Sequence, residues 1–555
     1  MAVELDLAFV DGMVFDGVSE APRRLDVGVA AGRIAALGPD VAAGITASTR
    51  VIDLTGRMLL PGLIDSHVHP VEAGVERLAC DLSSGWTRED YLRIIADYAA
   101  ANPEREWIVG GGWQQAAFAG GAPLAADLDA ICPDRPMVIS NRDHHSAWVN
   151  SEALRRAGID RDTPDPVDGR IERDADGLPT GTLHEGARML ALRLAPDATA
   201  EEQYAGLLEA QRHLHSFGIT GWQDALIGDY GNHSADIVEA YQRAMDEDAL
   251  HARVNGAIWW ERERGVEQIA RIEALRERFQ DERFRVTTVK VMQDGIVENR
   301  TAAMIEPYEH RCGPGETHDD GISFVDPELL AGYVSRLDAA GFQVHFHAIG
   351  DRGVRESLDA VEAARHANGD SGTTHHIAHL QVVHPDDRAR FAALGVAANI
   401  QPLWACYDPQ MVELNVPLLG AERTTTQYPF ASLLGAGAHL CAGSDWPVTS
   451  PDPWLGIHVA VNRRVPSWHP DHNPEAFLPN ESLTLAAALR AYTSGAARIN
   501  GRDDLTGSIA VGNWADLAVV DRDPFAHPAD TIADTRTIET FVAGESVYAA
   551  LPAAR

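Results

Sequence analysis

Two histidines one residue apart close the apolar run Pro61-Gly62-Leu63-Ile64-Asp65-Ser66-His67-Val68-His69. Residues i and i+2 of a strand project to one side, so His67 and His69 present two imidazoles together. Such a pair holds a metal ion when further ligands converge from elsewhere, and is a weak signal without them. Candidates for convergence end other apolar runs. Lys290 interrupts Val286-Thr287-Thr288-Val289-Lys290-Val291-Met292, where an ammonium is costly unless paired or modified. His345 and His347 close a fifth run, His375, His376 and His379 a sixth, and Asp445 follows an eighth. Each has an ordinary explanation taken alone. A strand-end histidine can be a hydrogen-bonded core residue, Lys290 can pair with Asp294, and Asp445 can cap a turn. Their joint placement argues instead for one site.

The elements that must position them are βα units. Apolar runs near Gly62–Ser66, Ile219–Gln223, Ala252–Ile258, Val286–Gln293, Phe342–His347, Thr373–His379, Val396–Gln401 and His439–Ser444 alternate with helix-like stretches. One such helix opens on the capping box Thr199-Ala200-Glu201-Glu202 and is expected to end at Gly218. Eight strands predict an α/β fold, a (β/α)8 TIM barrel over residues 61–499, with the candidate residues at the C-terminal strand ends where barrel enzymes carry their sites. Roughly 150 residues separate the first two runs, against about 30 for a plain crossover. Residues 71–210 are therefore read as an α/β insertion after the first strand, over the active face. Short strands and turns at both ends, 1–60 and 500–555, are expected to pair into one small β-sandwich domain.

These residues resemble the amidohydrolase superfamily. The pattern is His-x-His on the first strand, Lys on the fourth, His on the fifth and sixth and Asp on the eighth. His347-Ala348-Ile349-Gly350-Asp351, Gly443-Ser444-Asp445 and His145-Ser146-Ala147-Trp148-Val149-Asn150 are similar to amidohydrolase family 3 and, within it, to N-substituted formamide deformylases. The likeness covers nearly the whole chain. It implies two divalent metal ions, with zinc expected. His67, His69 and Asp445 would bind one ion, His347 and His379 the other, and a carboxylated Lys290 would bridge them. His345 ranks below His347, because the Ala-Ile-Gly-Asp signature follows the latter, and His375 and His376 read as supporting residues. The reaction implied is hydrolysis by a metal-activated water, with Asp445 as proton shuttle and His145 as oxyanion donor. Three positions depart from the pattern: Ala378 where Glu is common, Trp446 after Asp445, and Asn513 where the closing motif often has Lys.

Composition sets the partners. Forty-six basic against 82 acidic residues give a net charge of −36, which argues against nucleic acid and anionic membrane as partners. Trp113, Phe118, Trp148, Trp404 and Trp446 lie in segments that can overhang the barrel mouth, and suit a small uncharged amide with an apolar substituent. The alternatives are a mononuclear deaminase-type enzyme, a cyclic amide, carbamate or ester hydrolase, and a non-catalytic binding protein. Five scattered cysteines (Cys80, Cys132, Cys312, Cys406, Cys441) read as reduced thiols. The acidic, alternating N-terminus is unlike a signal peptide, and the expected compartment is the cytoplasm. A homodimer is the base-rate expectation.

Overall fold

The computed structural model describes residues 3–228, 237–309 and 319–550. Eight strands form one parallel sheet: β1 Leu63–Val68, β2 Ile219–Ile227, β3 Arg253–Trp259, β4 Phe284–Met292, β5 Gln343–Ala348, β6 His376–His379, β7 Ala397–Ile400 and β8 His439–Ala442. They neighbour one another in chain order. The two edges meet just past β8, where the Asp445 N–H donates to the His67 carbonyl at 2.7 Å and the His69 N–H to the Trp446 carbonyl at 2.9 Å. Asp65 locks that seam from inside, accepting from the Ser444 N–H at 3.0 Å and hydroxyl at 2.6 Å. This is the TIM barrel expected from the eight runs.

Apolar strand residues such as Trp222, Val254, Val289, Phe346 and Ile377 join helix residues Leu207, Tyr241, Leu337 and Leu358 in one buried cluster. The strands are not apolar throughout. Gln223, Asn255, Thr288 and Gln343 are buried and bond to one another, with the Gln343 carbonyl oxygen accepting from Gln223 at 3.0 Å and from Thr288 at 2.7 Å. The helix Ala200–His215 starts on the Thr199–Glu202 capping box. It stops three residues short of Gly218, which takes the positive φ of 86° in the turn that follows. It packs on the helix Pro70–Leu78 through Gly74, where an added Cβ would lie 1.9 Å from the Gly206 carbonyl oxygen.

Between β1 and β2 stands a separate six-stranded sheet. Its order is Gly169–Arg173, Pro179–Glu185, Ser146–Val149, Met137–Asn141, Ile108–Trp113, Cys80–Asp81. The chain ends form two more sheets. One holds Arg33–Leu37, Val27–Ala30, Leu7–Val10 and Arg50–Asp53. The other joins Met13–Val14, Arg23–Arg24 and Met58–Pro61 to Leu517–Val520, Thr537–Val542 and Glu545–Ala549. Phe9, Val29 and Leu59 pack with Leu517 and Phe541, so residues from both termini share one core. Cys80, Cys132, Cys406 and Cys441 are free thiols, and Cys312 lies outside the described residues. No helix among the described residues is long and apolar enough to cross a membrane.

Candidate metal centre

His67 and His69 project from the end of β1, and Asp445 comes from the turn after β8, across the seam that joins the barrel edges. Asp445 Oδ1 lies 3.1 Å from His67 Nε2 and 3.1 Å from His69 Nε2, yet forms a proper hydrogen bond with neither. Ligand atoms of the three residues all lie within 4.8 Å of one another. Lone pairs that converge without donated protons fit a cation, and the buried Nδ1 atoms of His69 and His379 make no hydrogen bond among the described residues. Burial and the neighbouring Lys290 push His67 down to about 3, so its imidazole is neutral, the form a metal requires. The donor set therefore fits a divalent ion.

Lys290 and Met292 on β4 pair in register with His345 and His347 on β5. Lys290 Nζ is 3.3 Å from His67 Nε2 and 3.5 Å from His345 Nε2. Burial pushes its amine down to about 7, with Asp445 opposing in part. A pairing with Asp294 does not form. That carboxylate accepts instead from the N–H groups of Ile349, Gly350 and Ala303, shaping the turn after His347. His347 Nε2 donates to the Gly295 carbonyl at 3.3 Å, which leaves Nδ1 as the nitrogen that carries no proton. His379 takes a positive φ of 80°, its N–H donates to Gln401 Oε1 at 2.8 Å, and its ring stacks on Trp404 at 5.2 Å. The rings of His347 and His379 are 4.4 Å apart, and those of His67 and His379 4.7 Å.

His345 is closer to the centre than its sequence rank suggests. It bonds His67 Nδ1 at 2.9 Å and packs at a tilt against His376, fixing the His67 ring from behind. His375 is structural: its Nε2 bonds Asp338 at 2.9 Å and its Nδ1 accepts from the Val344 N–H. Sequence reading missed Asp65, whose carboxylate also takes the His67 N–H at 3.0 Å. Its place two residues before His67, on the same strand face, is the signal that could have found it.

A cavity of about 480 Å³ opens beside the cluster, lined by Trp113, Trp404, Trp446, Ile296, Ile349 and Gln381 among others. Trp148 is not in that lining. Its indole N–H bonds the Leu124 carbonyl, and it packs with Trp113 and Phe118 in the core of the inserted sheet. The alternating pattern of that strand points Trp148 into the core, which corrects its reading as a substrate contact. His145 is also outside that lining, with its ring 5.7 Å from that of His347 and its Nδ1 bonded to Glu185. Asn513 bonds Ser508 in the closing motif, and Ala378 is buried in β6.

A parallel barrel with titratable side chains gathered at the C-terminal ends of its strands has the architecture of the barrel enzymes. Comparison makes the class specific: residues 50–548 match the sequence profile of the Amidohydrolase family. The chain is 30% identical to "Putative amidohydrolase YtcJ" of Bacillus subtilis (strain 168), over 90% of each chain. It is 25% identical to the N-substituted formamide deformylase of Arthrobacter pascens, over 94% of each. In fold it superposes on an uncharacterized metal-dependent hydrolase from Pyrococcus horikoshii OT3 with a TM-score of 0.71, at 23% identity, covering 94% of this chain and 99% of that one. The protein belongs to the amidohydrolase family and is a hydrolase.

Proposed function

We propose that the protein hydrolyses a non-peptide C–N bond of the amide type, with N-substituted formamides as the first substrates to test. The observation that carries this reading is the convergence of His67, His69 and Asp445 on one point without hydrogen-bond geometry, beside a buried lysine. His67, His69 and Asp445 would hold one divalent ion and His347 and His379 a second, with Lys290 carboxylated on Nζ between them; zinc suits an imidazole–carboxylate set. Bound there, the ions would supply Lewis acidity toward the substrate carbonyl and lower the pKa of water. Asp445 takes the proton of the attacking water and returns it to the leaving nitrogen. His145 donates to the carbonyl oxygen as negative charge builds on it. Trp404 and Trp446 give the N-substituent an apolar wall.

A neutral substrate also suits a chain of net charge −36. The deformylase relative supports starting with formamides. The test is a panel of N-alkyl and N-benzyl formamides, cyclic amides, carbamates, esters and amino-substituted heterocycles, assayed with zinc-loaded protein. The reading expects formamides to lead, with kcat/KM reaching about 10⁴ M⁻¹s⁻¹. Ammonia release from the heterocycles alone would replace it with a deaminase.

A further inference from the structure

The strand Pro179–Glu185 of the inserted sheet ends on a strained residue. Glu185 has φ 49° and ψ −126°, a conformation that non-glycine side chains hold only when their surroundings impose it. Its side chain is buried and its carboxylate collects four contacts. His145 Nδ1 lies 2.9 Å from one oxygen and 3.0 Å from the other, Thr301 Oγ1 donates at 2.8 Å, and Asn299 Nδ2 donates at 3.2 Å. The backbone closes the same pair, since the Glu185 N–H donates to the His145 carbonyl at 2.8 Å. Asp143 Oδ1 takes the His145 N–H, also at 2.8 Å.

Those contacts settle which edge of the His145 ring is in use. Facing a carboxylate, Nδ1 carries a proton, and Nε2 has no partner among the described residues. A carboxylate on Nδ1–H also favours the doubly protonated ring, in which Nε2 donates. The support reaches the centre. Gly295 donates its N–H to the Thr301 carbonyl at 3.1 Å, and its own carbonyl accepts from His347 Nε2 at 3.3 Å. Glu185 is not needed as a tether, because His144 already ties this loop to Glu72 and Glu76 on the helix after β1, at 3.1 and 3.2 Å.

We propose that Glu185 is a positioning residue for the reaction: braced by Thr301 and Asn299, it fixes His145 through Nδ1–H and leaves Nε2 as the only ring atom able to meet the substrate carbonyl. The inference rests on the hydrolase reading above and deepens it. Glu185→Gln keeps the size of the side chain and removes its charge. It is expected to lower kcat by about 10–100-fold with KM within about threefold, and to add nothing in a His145→Ala background. Thr301→Val, a milder change, is expected to cost about fivefold in kcat through loss of one hydrogen bond to the carboxylate. It keeps the question answerable if Glu185→Gln does not fold.

Imidazole ¹⁵N NMR of the full chain, with the His145 signals assigned by comparison with His145→Ala, reads the ring without any substrate. Wild type should show protonated Nδ1, and the His145 resonances should move in Glu185→Gln or Thr301→Val. Unmoved resonances, an additive double mutant, or a loss confined to KM would overturn the inference. Resonances that move as expected in a protein that hydrolyses nothing on the panel would retain the hold of Glu185 on the ring and reject its catalytic purpose, together with the hydrolase reading.

Discussion

Asp445 is where the account concentrates its risk. The residue sits at φ 56°, past the last barrel strand, with one oxygen 3.1 Å from two imidazoles. Asp445→Asn keeps the shape but removes the charge and the proton acceptor, so kcat/KM should fall by about 10³-fold or more. Steady-state kinetics on metal-loaded protein checks this, and a variant retaining a tenth of the activity would contradict it. His215 makes a separate prediction, far from chemistry. Its Nδ1–H donates to the Ile219 carbonyl at 2.8 Å, its buried Nε2 makes no hydrogen bond among the described residues, and burial pushes it down to about 4. Unfolded histidine titrates near 6.5, so between those values the unfolded chain binds the proton and the native one does not. Stability is thus full above about 6.5 and falls as pH drops toward 4, by up to about 3 kcal/mol for this residue. In urea unfolding across that window, His215→Asn should flatten the slope by a comparable amount. The positions of His67, His69, Lys290 and Asp445 were legible because each breaks or closes an apolar run. Glu185 was not, because its meaning lies in a partner far along the chain, Thr301, and Asp65 was overlooked although it shares a strand face with His67.

All eight barrel strands could be located, since burial on both faces leaves largely apolar runs, although the C-terminal end of Ile219–Ile227 and the N-terminal end of His376–His379 were missed by several residues. What periodicity could not show was the polar layer of Gln223, Asn255, Thr288 and Gln343, because a bonded polar side chain inside a barrel looks like an interruption of a strand. The end of the helix Ala200–His215 also escaped, as Gly218 belongs to the turn and not to the helix cap. Contact between this helix and Pro70–Leu78 depends on two glycines. A Cβ on Gly74 would sit 1.9 Å from a backbone carbonyl oxygen, and one on Gly206 would meet Val75 Cγ2 at 2.7 Å. Backbone cannot step aside as a flexible side chain can, so Gly74→Ala should cost about 1–3 kcal/mol in urea unfolding despite its better helix propensity. A gain in stability would show that the helices can separate freely. Because His67 and His69 lie immediately before Pro70–Leu78, the same variant should also weaken metal retention.

Three further sheets accompany the barrel. Arg253, the first residue of β3, pairs at 2.6 Å with buried Asp516 just before the terminal strand Leu517–Val520, and the inserted sheet brings the His145 ring within 5.7 Å of that of His347. The chain ends were readable as one unit from their shared texture of short strands. The path of the insertion was not, because its strands are short and mix parallel with antiparallel pairing, and Ser146–Val149 pairs with Pro179–Glu185 past the intervening Gly169–Arg173. The central claim concerns what this assembly carries. Metal content per chain, measured on full-length protein purified without chelator and paired with the mass of the peptide bearing Lys290 under mild conditions, tests it most directly. The account predicts two divalent ions and an acid-labile CO₂ adduct on Lys290. One ion with a bare lysine would contradict the bridged centre, and no ion, before or after reconstitution with zinc, would contradict the metal centre itself.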